Sequence, residues 1–176
     1  GVRNRDHEAV RRLTEGLMLA GFAMQSAKSS RPASGAEHQF SHLWDMQHHT
    51  HNGRAPSHGF TVGVGTLAVA ALYEQLFELP LDQLDVQRCV AAWPDENAMV
   101  ARARVLLGEG ELADSAMKET RAKHNNPGQL RAQLTALRAG WPKLREQLRA
   151  QLLPLADLKQ RLSDVGGPTE PEHIGI

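Results

Sequence analysis

Leucines recur at helical spacing through the second half of the chain, and each set is headed by a proline. Pro127 opens Leu130, Leu134 and Leu137; Pro142 opens Leu144, Leu148 and Leu152; Pro154 opens Leu155, Leu158 and Leu162. Side chains three and four residues apart share one face of a helix, so each set forms an apolar stripe. Proline suits the first helical position, where its missing N–H would have had no partner. Strands find little support. Val62 and Val64 alternate briefly, but Gly63 and Gly65 interrupt them and an alanine-leucine run follows, which favours a helix. The chain is therefore expected to be all-α, a multi-helix bundle of about eight helices joined by short connections.

Capping chemistry sets the remaining boundaries. A first helix is expected from about Asp6 to Ala27, with Val10, Leu13, Leu17 and, less regularly, Phe22 and Met24 on its apolar face. The stretch from Lys28 to Gly35 is a loop of serine, proline and glycine. A second helix runs from Ala36 to about Gln47, and a polar, histidine-rich loop leads to Pro56. Ser57 caps a third helix from His58 to about Glu78, stopped at Leu79-Pro80. Shorter helices are expected over Asp82–Trp93, Asp95–Leu107 and Glu111–Lys123, the last ended by His124-Asn125-Asn126-Pro127. The tail GGPTEPEHIGI, residues 166–176, reads as a linker towards a further helix.

Composition narrows the classes of function. With 41% hydrophobic residues in 176, the chain can form a single domain, residues 1–176, with a real core. Twenty basic and twenty acidic residues cancel, which argues against a nucleic-acid surface or polybasic membrane binding. One cysteine, Cys89, excludes an internal disulfide and suits a reducing compartment, so a cytoplasmic location is expected. Cys89 and the five methionines read as core filler. Gly1 to Asp6 lead into a charged helical pattern rather than a signal peptide. The longest apolar run, roughly Phe60 to Tyr73, is too short to span a bilayer.

Chemistry concentrates between Ser29 and Leu67. His38 and His42 stand four residues apart on a predicted helix, which places their Cβ atoms about 5–6 Å apart on one face. His58 opens the next helix with Gly59 behind it, and turned back across the loop its ring would meet the other two. Either both His38 and His42 ligate one metal, or one ligates and the other faces a substrate. Neutral imidazole suits zinc, nickel and iron alike, and a catalytic centre normally keeps three protein ligands and an open position. Gly63 and Gly65 continue a small-residue face suited to close backbone packing. Glu37 reads as a solvated group or one that backs His38. The loop cluster His48, His49, His51 reads as solvated or substrate-side. Arg31 and Ser34, just before the histidine helix, are candidates to bind a substrate hydroxyl or phosphate; equally, Arg31 would tie down the loop and Ser34 cap the helix. Lys123 and His124 end a helix whose dipole they would offset.

The string SSRPASGAEHQFSH, followed at this interval by HGFTVGVGTL, resembles the bacterial and archaeal sn-glycerol-1-phosphate dehydrogenases. These belong to the superfamily of iron-containing alcohol dehydrogenases, glycerol dehydrogenases and dehydroquinate synthases, and the resemblance runs over most of the chain. It implies the C-terminal metal-binding domain of a dehydroquinate-synthase-like fold. It also implies that His38 and His58 ligate a metal (zinc, or else nickel or iron), and that His42 is the catalytic, substrate-side residue handling a proton. The implied reaction is reversible NAD(P)H-dependent reduction of dihydroxyacetone phosphate to sn-glycerol 1-phosphate, for phospholipid synthesis, by a homo-oligomer.

The family pattern also includes an N-terminal nucleotide-binding domain that holds NAD(P)H, and an aspartate ligand ahead of the position equivalent to residue 1. Neither is found here, and Gly59, Gly63 and Gly65 follow no strand, so they make a poor phosphate cradle. The chain is therefore expected to be the central part of that helical domain, without the family's last segment, and inactive alone. Two competitors remain. One is another polyol, alcohol or dehydroquinate-synthase-like enzyme of the superfamily, which the histidine spacing does not separate. The other is a non-enzymatic helical interaction module with incidental histidines.

Overall fold

The computed structural model describes residues 1, 4 and 6–176, so the Gly1–Asp6 lead-in is described only in part. The described residues are all-α and form eight α-helices: α1 (His7–Ala27), α2 (Ala36–Met46), α3 (His58–Phe77), α4 (Val86–Ala91), α5 (Glu96–Leu107), α6 (Glu111–Lys123), α7 (Pro127–Gln151) and α8 (Leu155–Asp164). Single 3-10 turns occupy Leu81–Gln83 and Pro171–Ile174. Among the described residues no strand forms, and one isolated bridge pairs His51 with Arg54. The residues fall into two compact units, residues 1–76 with 152–176, and residues 77–151.

In the first unit, α1 is held largely by local interactions. The Asp6 side chain accepts from the backbone N–H of Glu8 and Ala9, and Lys28 closes the other end in the left-handed region at φ 47°. Glu8 pairs with Arg11 at 2.6 Å and with Arg12 at 2.8 Å, and Arg11 also meets Glu15. The expected apolar face is present in sequence but is not buried. Val10, Leu13, Leu17 and Phe22 are exposed, and no residue of α1 is fully covered.

The core of this unit is built on α3. Thr61, Val64 and Leu67 are buried on it, with Ser41 of α2 and Ile174 of the tail. Close approach of α2 to α3 rests on Gly65, where a Cβ would lie 2.6 Å from the backbone carbonyl oxygen of Glu37. At Gly63 a Cβ would meet only Leu162 of α8, at an ordinary 3.6 Å, and at Gly59 it would enter open space. The α8 start shows tertiary capping. Pro154 has no side-chain acceptor to offer, and the Glu74 carboxylate of α3 takes the Leu155 N–H at 2.8 Å. The tail is fastened rather than free. Ile174 is buried at 1% exposure, and its carbonyl accepts from His49 Nε2 at 2.7 Å.

At twenty residues, α3 is longer than the apolar run expected from sequence and is the one helix among the described residues that could cross a membrane by length and composition. Of that apolar stretch 28% is buried, Thr61, Val64 and Leu67 among it, while Phe60 and Leu72 are exposed.

In the second unit, α5 packs on α6, and α7 packs on α4 and the turn that precedes it. Phe77, Val86, Ala113, Met117, Leu130 and Trp141 form the core. Two boundaries differ from expectation. Leu81–Gln83 is a separate 3-10 turn because the Asp85 carboxylate takes the Arg88 N–H at 3.0 Å, capping a fresh helix in place of continuing the old one. Pro142 starts no helix and sits inside α7. An interior proline costs about 3 kcal/mol, yet the unbroken helix buries both Leu130 and Trp141, at 6% and 1% exposure, which offsets that cost.

The contrast between two glycines is testable by thermal denaturation. Gly65→Ala forces a methyl group into backbone that has no rotamer to yield, and is expected to destabilise the chain by about 1–3 kcal/mol. Gly63→Ala meets only a leucine tip and gains helix propensity, so it is expected to be neutral or stabilising by up to about 1 kcal/mol. Equal losses from both would show that α2 does not approach α3 as described.

Candidate functional site

Three imidazoles converge in the first unit. The His38 and His42 ring centroids are 5.9 Å apart, as expected for residues one turn apart on α2. His58, at the first position of α3, brings its ring to 5.4 Å from His38 and 6.4 Å from His42. His38 is half-buried, and His42 and His58 are exposed. The geometry follows from local structure: Ser57 caps α3, accepting from the Phe60 N–H at 3.3 Å, and so fixes the helix start that carries His58.

Each of the two helix-start histidines has a polar partner on Nδ1. Glu37 Oε1 lies 2.8 Å from His38 Nδ1, and the same oxygen accepts the Gly35 N–H at 2.7 Å. Ser41 Oγ lies 3.2 Å from His58 Nδ1 and 2.8 Å from Thr61 Oγ1, and Thr61 Oγ1 donates to the His58 carbonyl at 2.9 Å. Ser41 is fully buried and Thr61 nearly so. Burial works against the charge on the Glu37 carboxylate, but the hydrogen bonds from His38 and from the Gly35 N–H outweigh it, holding this carboxyl below the usual carboxylate range.

These partners bear on whether the residues fit a metal. An Nδ1 engaged by a carboxylate or hydroxyl leaves Nε2 as the nitrogen with which such a ring would bind a metal, the arrangement common to metal-bound imidazoles. Among the described residues, however, no group of three His, Cys, Asp or Glu side chains is disposed to hold a metal ion. His38 and His58 fit as two members of a ligand set that a further donor would complete.

The other sequence candidates separate. Arg31 is exposed in the turn between α1 and α2, where its backbone N–H bonds Ser29 Oγ, and Ser34 is half-buried beside it. Neither side chain is a bonding partner of the three imidazoles. Ser34 does not cap α2; Gly35 holds that position, and the Glu37 carboxylate takes its N–H. In the histidine-rich loop, His49 holds the tail carbonyl and His51 bridges to Arg54, with its ring against Gly175. Ser41 and Thr61 were not singled out from sequence. Each follows its histidine by three residues on the same helix, and that spacing was the available signal.

No family profile matches the chain, and neither does any solved structure. Curated relatives do match. Glycerol-1-phosphate dehydrogenase (NAD(P)+) of Halalkalibacterium halodurans is 44% identical over 69 residues, 39% of this chain and 17% of that protein. The enzyme of the same name from Pyrococcus furiosus is 43% identical over 72 residues, 41% of this chain and 20% of that protein. The one from Geobacillus stearothermophilus is 29% identical over 170 residues, 96% of this chain and 32% of that protein. The chain is thus related to glycerol-1-phosphate dehydrogenases, and it spans no more than about a third of the length of these relatives. The 170-residue match leaves out too little of the chain to omit the segment from His38 to His58.

The Glu37 carboxylate supplies a pH test. Its folded pKa is depressed, so its contribution to stability is complete above the unfolded value near 4.5 and is lost as the pH falls through the folded value. Urea denaturation between about pH 6 and about pH 3 is expected to show a shallower acid loss for Glu37→Gln than for the unsubstituted chain. Identical acid limbs would remove the charge-assisted bonds to His38 and Gly35.

Proposed function

We propose that this chain is the helical metal- and substrate-binding part of an NAD(P)H-dependent glycerol-1-phosphate dehydrogenase, which interconverts dihydroxyacetone phosphate and sn-glycerol 1-phosphate. The observation that carries the reading is the convergence of His38, His42 and His58 from two helices, within a chain related to enzymes of that name. His38 and His58 would hold a divalent cation, zinc or else nickel or iron, through Nε2. When bound, such a cation supplies Lewis acidity towards a carbonyl or alcohol oxygen. The nicotinamide would be held mainly by a nucleotide-binding domain outside these 176 residues, since the glycines of α3 lie within a helix and cradle no phosphate. The remaining ligand would come from the same missing part. A homo-oligomer in the cytoplasm rests on kinship alone.

The chain's own residues have distinct tasks on this reading. The Glu37 carboxylate and the Ser41 hydroxyl orient the two ligating rings. His42 projects from the same face of α2 one turn beyond His38, is exposed, and has no hydrogen-bond partner among the described residues. A free imidazole so placed can give a proton to, or take one from, a substrate oxygen beside the other two rings. The exposed Arg31 guanidinium, on the turn that leads into α2, suits the phosphate of the substrate, and Ser34 a hydroxyl.

The reading is tested by equilibrium dialysis against zinc with elemental analysis, and by turnover of the intact enzyme that contains this chain. His38→Ala and His58→Ala are expected to lose most of the bound zinc, and His42→Ala to keep it while losing roughly 10²–10⁴ in kcat. Unchanged zinc content in either ligand variant would remove the ligand assignment. Turnover of free dihydroxyacetone in preference to its phosphate would shift the reading to a glycerol-dehydrogenase-like enzyme.

A further inference from the structure

The hydrogen bonds behind His58 admit only one arrangement of protons. The His58 carbonyl oxygen can only accept, so the Thr61 hydroxyl, 2.9 Å away, must donate its single proton there. Thr61 Oγ1 is then left as an acceptor towards Ser41 Oγ at 2.8 Å, and the Ser41 hydroxyl must donate to it. Ser41, its proton spent, offers only lone pairs to His58 Nδ1 at 3.2 Å, so that nitrogen must carry a hydrogen. The chain of donors runs in one direction: His58 Nδ1–H to Ser41, Ser41 to Thr61, Thr61 back to the carbonyl of His58.

We infer that Ser41 and Thr61 are positioning residues that lock the neutral His58 ring in its Nδ1–H tautomer and turn the Nε2 lone pair outward, towards His38 and His42. The function of that lone pair as a ligand rests on the preceding proposal; the tautomer itself does not. Burial makes the relay insensitive to solvent. Ser41 is 0% exposed and Thr61 2%, so water does not compete for either hydroxyl, and an unmade bond here would leave a buried polar group unsatisfied. Two elements are tied by it as well, since Ser41 belongs to α2 and the other two partners to the first turn of α3. His38, backed by the Glu37 carboxylate, reaches the same state by a different route: one ring is held by an anion, the other by a neutral hydroxyl pair.

Long-range proton–nitrogen NMR correlations on the metal-free 176-residue chain read the tautomer of His58 directly, at a pH where the ring is neutral. The expected result is a single Nδ1–H form in the unsubstituted chain, a mixture of tautomers in Ser41→Ala and in Thr61→Val, and the single form retained in Thr61→Ser, which keeps the hydroxyl. A mixture in the parent chain, or no change in the two deletion variants, overturns the relay. Zinc affinity of the intact enzyme that contains this chain is expected to fall roughly ten- to hundredfold in Ser41→Ala. If the intact enzyme that contains this chain binds no zinc but the tautomer behaves as described, the relay stands and the metal reading of the preceding subsection falls. If the tautomer shifts while zinc affinity is unchanged, the role of Ser41 towards the metal is overturned.

Discussion

The approach of α2 to α3 at Gly65 is the constraint from which the site follows. With no Cβ in the way, the backbone of α3 comes against the carbonyl of Glu37, and that contact sets the distance between the two helices at the level of His38. Everything nearby depends on this distance. Ser41 reaches Thr61 and His58 only because its own helix is this close, and the rings of His38 and His58 come within 5.4 Å for the same reason. Glu37 ties the arrangement together. Its carbonyl lies at the crossing, while its carboxylate holds both the N–H of Gly35, which precedes the helix, and the His38 ring.

Helix ends were legible where a residue beside the break supplies the cap. Asp6, Ser57 and Asp95 accept from N–H groups two or three positions on, a local event that depends on neighbouring residues and little else. Local sequence misleads where the deciding partner is distant. Pro142 looks like a helix start, as Pro127 and Pro154 do, because all three prolines head a leucine pattern; burial of Trp141 one residue earlier carries α7 through it. The α1 face has the right period for a buried helix, but period reports amphipathicity and not whether a neighbour is there to cover it. The tail reads as a linker from its glycines and prolines, whereas Ile174 and the distant His49 fasten it.

At the site, what could be read was what spacing encodes. Four residues within a helix bring His38 and His42 together, and a capped helix start directs His58. The choice among nine histidines was partly legible too, since a loop of threonine, asparagine and glycine marks His48, His49 and His51 as different in kind. That His49 serves the tail was not legible, because its partner lies 125 residues away. The hydroxyls were missed for another reason. Serine and threonine in helices commonly bond back to their own backbone, as Thr66 does to Val62 and Thr120 to Ala116, so their identity alone does not mark them. Thr61 makes the same backward bond, and only the arrival of Ser41 from α2 gives it a second role.

That second role makes the two helix-start imidazoles unequal. A carboxylate on Nδ1 pushes electron density into the ring and strengthens the opposite nitrogen as a donor, whereas a hydroxyl fixes orientation with little change in basicity. His38 has the Glu37 carboxylate behind it, and His58 the Ser41 and Thr61 hydroxyls. On the proposed reading, one ring would hold a cation mainly by charge donation and the other mainly by preorganised direction. His42 has neither kind of partner among the described residues, which would leave both ring nitrogens uncommitted. A proton-handling group needs that freedom, because it must change protonation state during turnover, while a ligand must not. On that reading, the bonding pattern around three chemically identical side chains would separate two holders from one mover.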